Sequence, residues 1–161
     1  MSTKKAAIEI CSKIQDTELR EFVLSSIEEK GNFIKSVQAF HKLYDCPDDS
    51  EIGTTEGVSH MSDERLDLRI DLVREEFEEL KEATAFRDEV EMADALSDLI
   101  YVIVGFALEM GVDLAETIDE VQSSNLTKLD EDGSVIRRED GKILKGPNFV
   151  QPDIKSRLKY R

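Results

Sequence analysis

Residues 90–108 read VEMADALSDLIYVIVGFAL, a run that is apolar almost all round and yet carries three acids. Those acids, Glu91, Asp94 and Asp98, follow i, i+3, i+7 spacing, so they share one stripe of a helix. A helix with so little polar surface belongs in a protein core, where each unpaired carboxylate would lose hydration worth several kcal/mol. The segment therefore predicts an all-α protein whose central helix carries acids that must be protonated or neutralised by positive charge.

The segment before this helix supplies a second group of acids. Residues 64–86 have the periodicity of an amphipathic helix, with an apolar stripe that starts at Leu66. At about 100° per residue, Glu76 and Glu79 border that stripe instead of lying opposite it. The short connection at residues 87–88 favours antiparallel packing of the two helices, which would bring their acids face to face.

Carboxylates crowded in this way are either protonated or neutralised by positive charge. Oxygen ligands suit Mg²⁺ or Mn²⁺, and Mg²⁺ commonly bridges a protein to substrate phosphates. Arg69, nearly two turns before Glu76, is expected to offset part of the charge. We expect one or more Mg²⁺ ions, for which Mn²⁺ can substitute, where these carboxylates converge: Glu75, Glu76, Glu79, Glu91 and Asp94.

Composition and charge exclude several classes of protein. The 161 residues are enough for one domain, and the net charge of −15 argues against a general nucleic-acid or anionic-membrane binder. Cys11 and Cys46 lack metal-like spacing and are interpreted as reduced thiols. The chain shows no signal-peptide pattern, and its longest apolar run, 99–108, is too short to span a bilayer. We expect a cytoplasmic protein.

The charge divides the chain into a body and a tail. Residues 1–122 carry 12 Lys and Arg against 30 Asp and Glu, whereas residues 123–161 carry 9 against 6. We predict a single domain with a helical extension at 1–31, a helical core at 32–122 and a basic tail at 123–161. Helical periodicity also marks 33–44, residues 45–62 form a loop, and 134–145 favour a short hairpin in an otherwise irregular tail.

Here the pattern becomes specific to one superfamily. Glu75-Glu76-x-x-Glu79 followed by Glu91-x-x-Asp94 resembles the Glu-Glu-x-x-Glu…Glu-x-x-Asp signature of the all-α nucleoside triphosphate pyrophosphohydrolases. That superfamily includes MazG, the dimeric all-α dUTPases and phosphoribosyl-ATP pyrophosphohydrolase. The surrounding motifs match as well, at Arg69, 94–102, 124–128 and 140–147. The resemblance covers roughly residues 33–153.

The resemblance implies an all-α core of the four-helix-bundle type that cleaves a nucleoside triphosphate to monophosphate and pyrophosphate with Mg²⁺. Carried over by position, Glu76, Glu79, Glu91 and Asp94 would hold the metal. Glu75 would bind metal or, like Glu76, help to activate water, and Asp98 would support the ligands from outside. Candidate nucleotide-binding residues are Asn125, Lys128, Lys142, Lys145, Tyr101 and His41.

Several alternatives stay open at this stage. A dUTP- or dUDP-specific hydrolase and a non-catalytic nucleotide-binding or interaction module of the same fold both fit the residues. Tyr101 favours a core position, whereas His41 fits a base pocket or a partly exposed site about equally well, and the phenylalanines 33, 40, 77 and 106 favour the core. Because a lone helical hairpin would expose apolar surface, we expect a homo-oligomer, with a dimer favoured over a tetramer.

Overall fold

The computed structural model describes residues 3–29, 31–48 and 61–158 of the chain. Within these ranges the chain forms seven helices and no strand, which confirms the prediction of an all-α fold. The predicted loop at 45–62 lies outside the described residues from 49 to 60. The helices are α1 (Thr3–Cys11), α2 (Thr17–Glu28), α3 (Phe33–Leu43), α4 (Asp63–Phe86), α5 (Glu89–Glu109), α6 (Leu114–Leu126) and α7 (Ile154–Arg157).

Helices α4 and α5 form the predicted antiparallel hairpin, and their ends are set by local chemistry. The Ser62 side chain caps α4 by accepting from the Arg65 amide, and Asp88 caps α5 by accepting from the amides of Val90 and Glu91. Arg87 between them has a left-handed backbone with φ of 56°. This conformation reverses the chain over two residues and so fixes which side chains of α4 face α5.

Helix α5 is the centre of the fold. It packs against α3, α4 and α6, and the backbone of α4 lies close to that of α5 alone among the described helices. Val37 on α3 joins Val104 and Leu108 on α5 in a small buried core, with Ile34 and Leu114 at its edge. A four-helix bundle within one chain therefore stays a prediction, because one long face of α4 has no helix packed along it in the described part of the chain.

The extension and the tail each pack on a different helix. Helix α2 lies against α3 and α1 lies against α2, as expected for an extension whose apolar stripe needs a partner. In the tail, an isolated antiparallel bridge pairs Arg137 with Ile143 and confirms the hairpin, and a second bridge pairs Leu129 with Val135. The chain bends by 113° between α5 and α6.

Much of the apolar surface expected in the core is exposed in the single chain. Phe33, Phe40 and Phe77 are 61%, 42% and 49% exposed, so their predicted core positions are wrong for one chain, and only Phe106 is partly buried. The outer faces of α4 and α5 also expose Ile70, Leu96, Ile100 and Ile103. Within the described ranges, no single helix has both the length and the apolar character needed to cross a membrane.

Candidate functional site

The acids of α4 and α5 meet along one end of the seam between the two helices. Glu76 is the acid that turns toward this seam: it is partly buried, whereas Glu75, Glu79, Asp94 and Asp98 are exposed. Burial raises the pKa of the Glu76 carboxyl, and the negative charges of Asp98, Glu79, Glu75 and Asp94 raise it further. Four like charges therefore act on one carboxylate, as antiparallel packing of the two acid groups predicts.

The five acids of the sequence signature do not all lie together. Glu91 is not among the groups that raise the pKa of Glu76, and Asp98 exerts the largest like-charge influence on it. Because α4 and α5 run antiparallel from the turn at 87–88, Asp98 faces Glu76, while Glu91 lies nearer the turn. Glu91 and Glu79 instead line an open cavity of about 440 Å³ close to that turn.

The donor set at this end of the seam fits a hard divalent cation, although no ion site is preformed. The side chains offer only carboxylate oxygens, which suit Mg²⁺ and Mn²⁺. In the part of the chain that the structure describes, no three His, Cys, Asp or Glu side chains are grouped closely enough to hold a metal ion.

The other end of the same seam holds a charge network that the sequence did not predict. Arg65 donates to Glu109 through Nε at 2.6 Å and Nη2 at 3.0 Å, and the Arg69 Nε donates to the same carboxylate. Burial alone would raise the pKa of Glu109, but the hydrogen bonds and charges of the two arginines hold it below its ordinary value. The expected role of Arg69 beside Glu76 is thus corrected: its guanidinium bonds to Glu109.

His41 belongs to this network and is buried, not partly exposed. Its Nδ1 lies 2.6 Å from the carbonyl oxygen of Pro47, and its Nε2 lies 3.5 Å from Nη2 of Arg69. Since a carbonyl only accepts, Nδ1 carries the proton and Nε2 accepts from arginine. Burial lowers the pKa of His41 and the positive charge of Arg69 lowers it further, against the Pro47 hydrogen bond, which raises it.

Gly105 makes the close approach of His41 and Arg69 to α5 feasible. A Cβ atom at this position would lie 3.0 Å from Nε2 of His41 and 3.1 Å from an Arg69 nitrogen. The network therefore depends on a glycine at position 105, which has no side chain. A buried acid in the last turn of a helix faces the negative end of the helix dipole. The position of Glu109 at the end of the apolar α5 was therefore a sequence signal that this acid needs a cationic partner.

Tyr101 lies at the surface instead of in the core. It is 37% exposed, and its ring packs edge-on against Phe40 with centroids 5.7 Å apart. Partial burial of the hydroxyl group raises the pKa of Tyr101 to about 12. The predicted core position is therefore wrong for the single chain, and Tyr101 is accessible to a ligand.

The candidate nucleotide-binding residues of the tail lie at the end of α6 and in the segment that follows it. Asn125 lies in the last turn of α6 and is exposed. Lys128 is partly buried, Lys142 is exposed, and Lys145 places its Nζ 4.1 Å from the centre of the Phe149 ring. The tail is fastened to α6, where Ser124 donates to the Val150 carbonyl and Glu120 accepts from Arg157. No described hydrogen bond or ion pair joins these residues to the acids of α4 and α5, and their role in binding stays a prediction.

A hairpin of two acid-bearing helices within an all-α fold is the arrangement expected of the pyrophosphohydrolase class. A family model described as phosphoribosyl-ATP pyrophosphohydrolase matches residues 37–125, which is 89 of the 161 residues. The chain therefore belongs to the phosphoribosyl-ATP pyrophosphohydrolase family, in the MazG-like all-α superfamily. Membership identifies a hydrolase of the pyrophosphohydrolase type and indicates a nucleotide substrate. No curated protein matches the chain.

Proposed function

We propose that this protein is a Mg²⁺-dependent nucleoside triphosphate pyrophosphohydrolase that converts (d)NTP and water to (d)NMP and pyrophosphate and so removes surplus or non-canonical nucleotides. One observation supports this most strongly: Glu76 lies at the helix seam among four other carboxylates. Such crowding disfavours the charged state unless a cation is bound. The substrate would enter as a metal complex, because the acidic body would otherwise repel its phosphates.

The acids of the α4–α5 hairpin would have different roles in the proposed reaction. Glu76, Glu79, Glu91 and Asp94 would hold the metal, which when bound supplies charge stabilisation to the phosphates and lowers the pKa of coordinated water. Glu75 or Glu76 would orient the attacking water and accept its proton. We also infer a more direct role for Asp98 than the resemblance implied: its charge acts on Glu76, and it would help to hold the same cation.

We further infer that the functional form is a homo-oligomer, with a dimer favoured. The outer faces of α4 and α5 expose the large apolar side chains Ile70, Phe77, Leu96 and Ile103, and extensive apolar exposure is typical of an interface. Light scattering measures this directly. A stable monomer at working concentration would contradict the inferred homo-oligomer and would leave the proposed reaction unaffected.

The proposed reaction is tested by product analysis with a panel of NTPs and dNTPs, plus dUDP, with and without Mg²⁺. The wild-type protein should give monophosphate and pyrophosphate only with metal. Glu79→Gln should lose roughly a hundredfold or more in kcat, since removing one group that stabilises transition-state charge costs on this scale.

Glu78→Gln is the matched control, because Glu78 is exposed on the same helix and pairs with Lys81 at 2.6 Å. It should keep wild-type activity. Turnover restricted to dUTP and dUDP would replace the general reaction with the uracil-specific alternative. Absence of turnover for every nucleotide, in folded and metal-loaded protein, would favour a non-catalytic binding module of the same fold.

A further inference from the structure

The arginine pairs at one end of the α4–α5 seam join the two helices directly. Arg65 donates to Glu109 through two nitrogens, at 2.6 and 3.0 Å, and Nε of Arg69 donates to the same carboxylate. In the described part of the chain, every side-chain hydrogen bond that crosses from α4 to α5 ends on Glu109. We call Arg65, Arg69 and Glu109 the arginine clamp, because their hydrogen bonds hold the start of α4 against the end of α5.

Two further contacts fix the position of Arg69 within the arginine clamp. Its Nη2 lies 3.5 Å from Nε2 of His41 on α3, and the absence of a side chain at Gly105 leaves room for both groups against α5. The Arg69 side chain is only 8% exposed. Because protein interiors are closely packed, an arginine enclosed between α3 and α5 in this way holds a fixed position.

The middle of the hairpin has no comparable junction. The buried residues of α4 are Arg69 and Ala83, and no residue between them is buried. On α5, Ala95 is the one buried residue among residues 89–103. In the described chain, therefore, no large apolar side chain is buried in the part of the hairpin that carries Glu76.

The acids in this part of the hairpin oppose close packing of the two helices. Glu76 lies about 10.5 Å along α4 from Arg69 and about 16.5 Å from Arg87 in the turn. Burial raises the pKa of the Glu76 carboxyl, and the negative charge of Asp98 raises it further. When both acids are ionised they repel each other across the seam. This repulsion acts between the two points at which the helices are joined, the arginine clamp and the turn.

We propose that the arginine clamp holds Glu76 opposite Asp98 against their mutual repulsion and so positions the acids of the proposed cation site. Its three members are positioning residues, because they act through α4 and α5 and touch neither metal nor substrate. The proposal deepens the proposed function and rests on it for the presence of a cation at these acids. Without the arginine clamp the acids would move apart, and the smaller fraction of protein in the binding arrangement would lower the apparent affinity for the cation.

The test uses Arg65→Gln, because Arg65 is 38% exposed and its loss leaves the pair of Arg69 and Glu109 in place. Mn²⁺ binding is measured without nucleotide by electron paramagnetic resonance, at a temperature at which circular dichroism shows each variant folded. Arg65→Gln should bind Mn²⁺ about fivefold more weakly, the lower end of typical couplings between distant sites. Simple electrostatics predicts the opposite, since the loss of a positive charge favours cation binding.

Two further variants separate the effect of position from that of charge. Arg74→Gln removes a positive charge that is closer to Glu76 along α4 but is paired within that helix, with Asp71. It should bind Mn²⁺ at least as tightly as the wild type does. Arg65→Lys keeps a charged donor opposite Glu109 and should bind Mn²⁺ more tightly than Arg65→Gln.

Hydrogen exchange follows the packing of the two helices without metal or nucleotide. In chelator at low salt, the amides of α5 around Asp98 should exchange faster in Arg65→Gln than in the wild type. About 1 M salt, at which the Debye length is about 3 Å, should remove this difference because it screens the repulsion between the acids. Arg74→Gln should exchange as the wild type does at both salt concentrations.

The two measurements distinguish the arginine clamp from the proposed reaction. Weaker Mn²⁺ binding together with faster exchange in Arg65→Gln would support the proposal. If the wild type binds Mn²⁺, unchanged exchange or Mn²⁺ binding as tight as that of the wild type in Arg65→Gln would overturn the arginine clamp and leave the reaction intact. Faster exchange in Arg65→Gln, with a wild type that neither binds Mn²⁺ nor hydrolyses any nucleotide, would support the arginine clamp and overturn the proposed function.

Discussion

Both ends of the α4–α5 seam carry a partly or fully buried glutamate, but the two glutamates have opposite electrostatic surroundings. At one end, Arg65 and Arg69 enclose Glu109, so opposite charges are paired and buried. At the other end, Glu76 faces Asp98 with further acids around it, so like charges are left together. The comparison teaches that crowding of acids is not a general property of this hairpin. One end pairs its charges, and the other keeps like charges together, as the proposed cation site would require.

The largest effect should come from breaking the paired end. Glu109→Ala removes the acceptor shared by two arginines and leaves the Arg69 side chain, only 8% exposed, without its counter-charge. We expect the free energy of unfolding to fall by about 3–5 kcal/mol, as for other buried pairs that lose one partner. Urea denaturation measures this change.

Arg74→Ala is the control for a pair of the same type at the surface. Arg74 and Asp71 are 62% and 63% exposed, so this variant should lose no more than about 1 kcal/mol. If both variants were equally stable, the pairing at Glu109 would not be a stabilising feature of the fold.

An intermediate effect should appear as a pH dependence of stability. The pKa of His41 lies below its unfolded value of 6.5, so the unfolded chain takes up the proton more readily. Stability should therefore be fully present above about pH 6.5 and fall as the pH decreases through the folded pKa. The groups around the ring are Arg69, Glu109 and Asp48.

Urea titrations between about pH 7.5 and 5 test this dependence. This pH range lies above the one in which Glu109 should be protonated and lose its stabilising charge. His41→Gln should flatten the dependence while keeping a polar side chain at the site. The remaining histidine, His60, is present in both proteins and so serves as an internal control. An unchanged slope in the variant would assign the pH dependence to other groups.

The smallest effect should have the opposite sign, at the acid end. The raised pKa of Glu76 means that its charged form destabilises the folded state at neutral pH. Glu76→Gln should therefore raise the metal-free stability by about 0.5 kcal/mol, the scale of a like-charge pair on a helix. Added Mg²⁺ should raise the Tm of the wild type and have less effect on the variant. A variant less stable than the wild type in chelator would show that the acids do not repel one another.

The helices were largely predictable because their ends carry local signals. Ser62 and Asp113 are capping residues that stand directly before apolar periodicity, and the structure places α4 and α6 directly after them. The direction in which Glu76 points also followed from periodicity alone. Each of these features depends on residues of the same helix or directly before it.

The features that escaped prediction depend on distant or absent contacts. Arg69 lies 40 residues from Glu109, and no local pattern distinguishes this partner from Glu76, which is nearly two turns away on the same helix. The apolar residues Phe40 and Phe77 were assigned to the core because periodicity identifies an apolar face without saying which surface covers it. In the single chain those faces are exposed.

The two-residue turn at Arg87-Asp88 has a consequence for anyone who re-engineers this chain. Because residues at similar distances from the turn face each other, the length of the turn determines that Glu76 lies opposite Asp98. One added residue there would rotate α5 by about 100° relative to α4 and break both the acid group and the arginine pairs at once. The number of residues in the tail can be varied with less risk, because its hydrogen bonds to Ser124 and Thr127 do not involve α4 or α5.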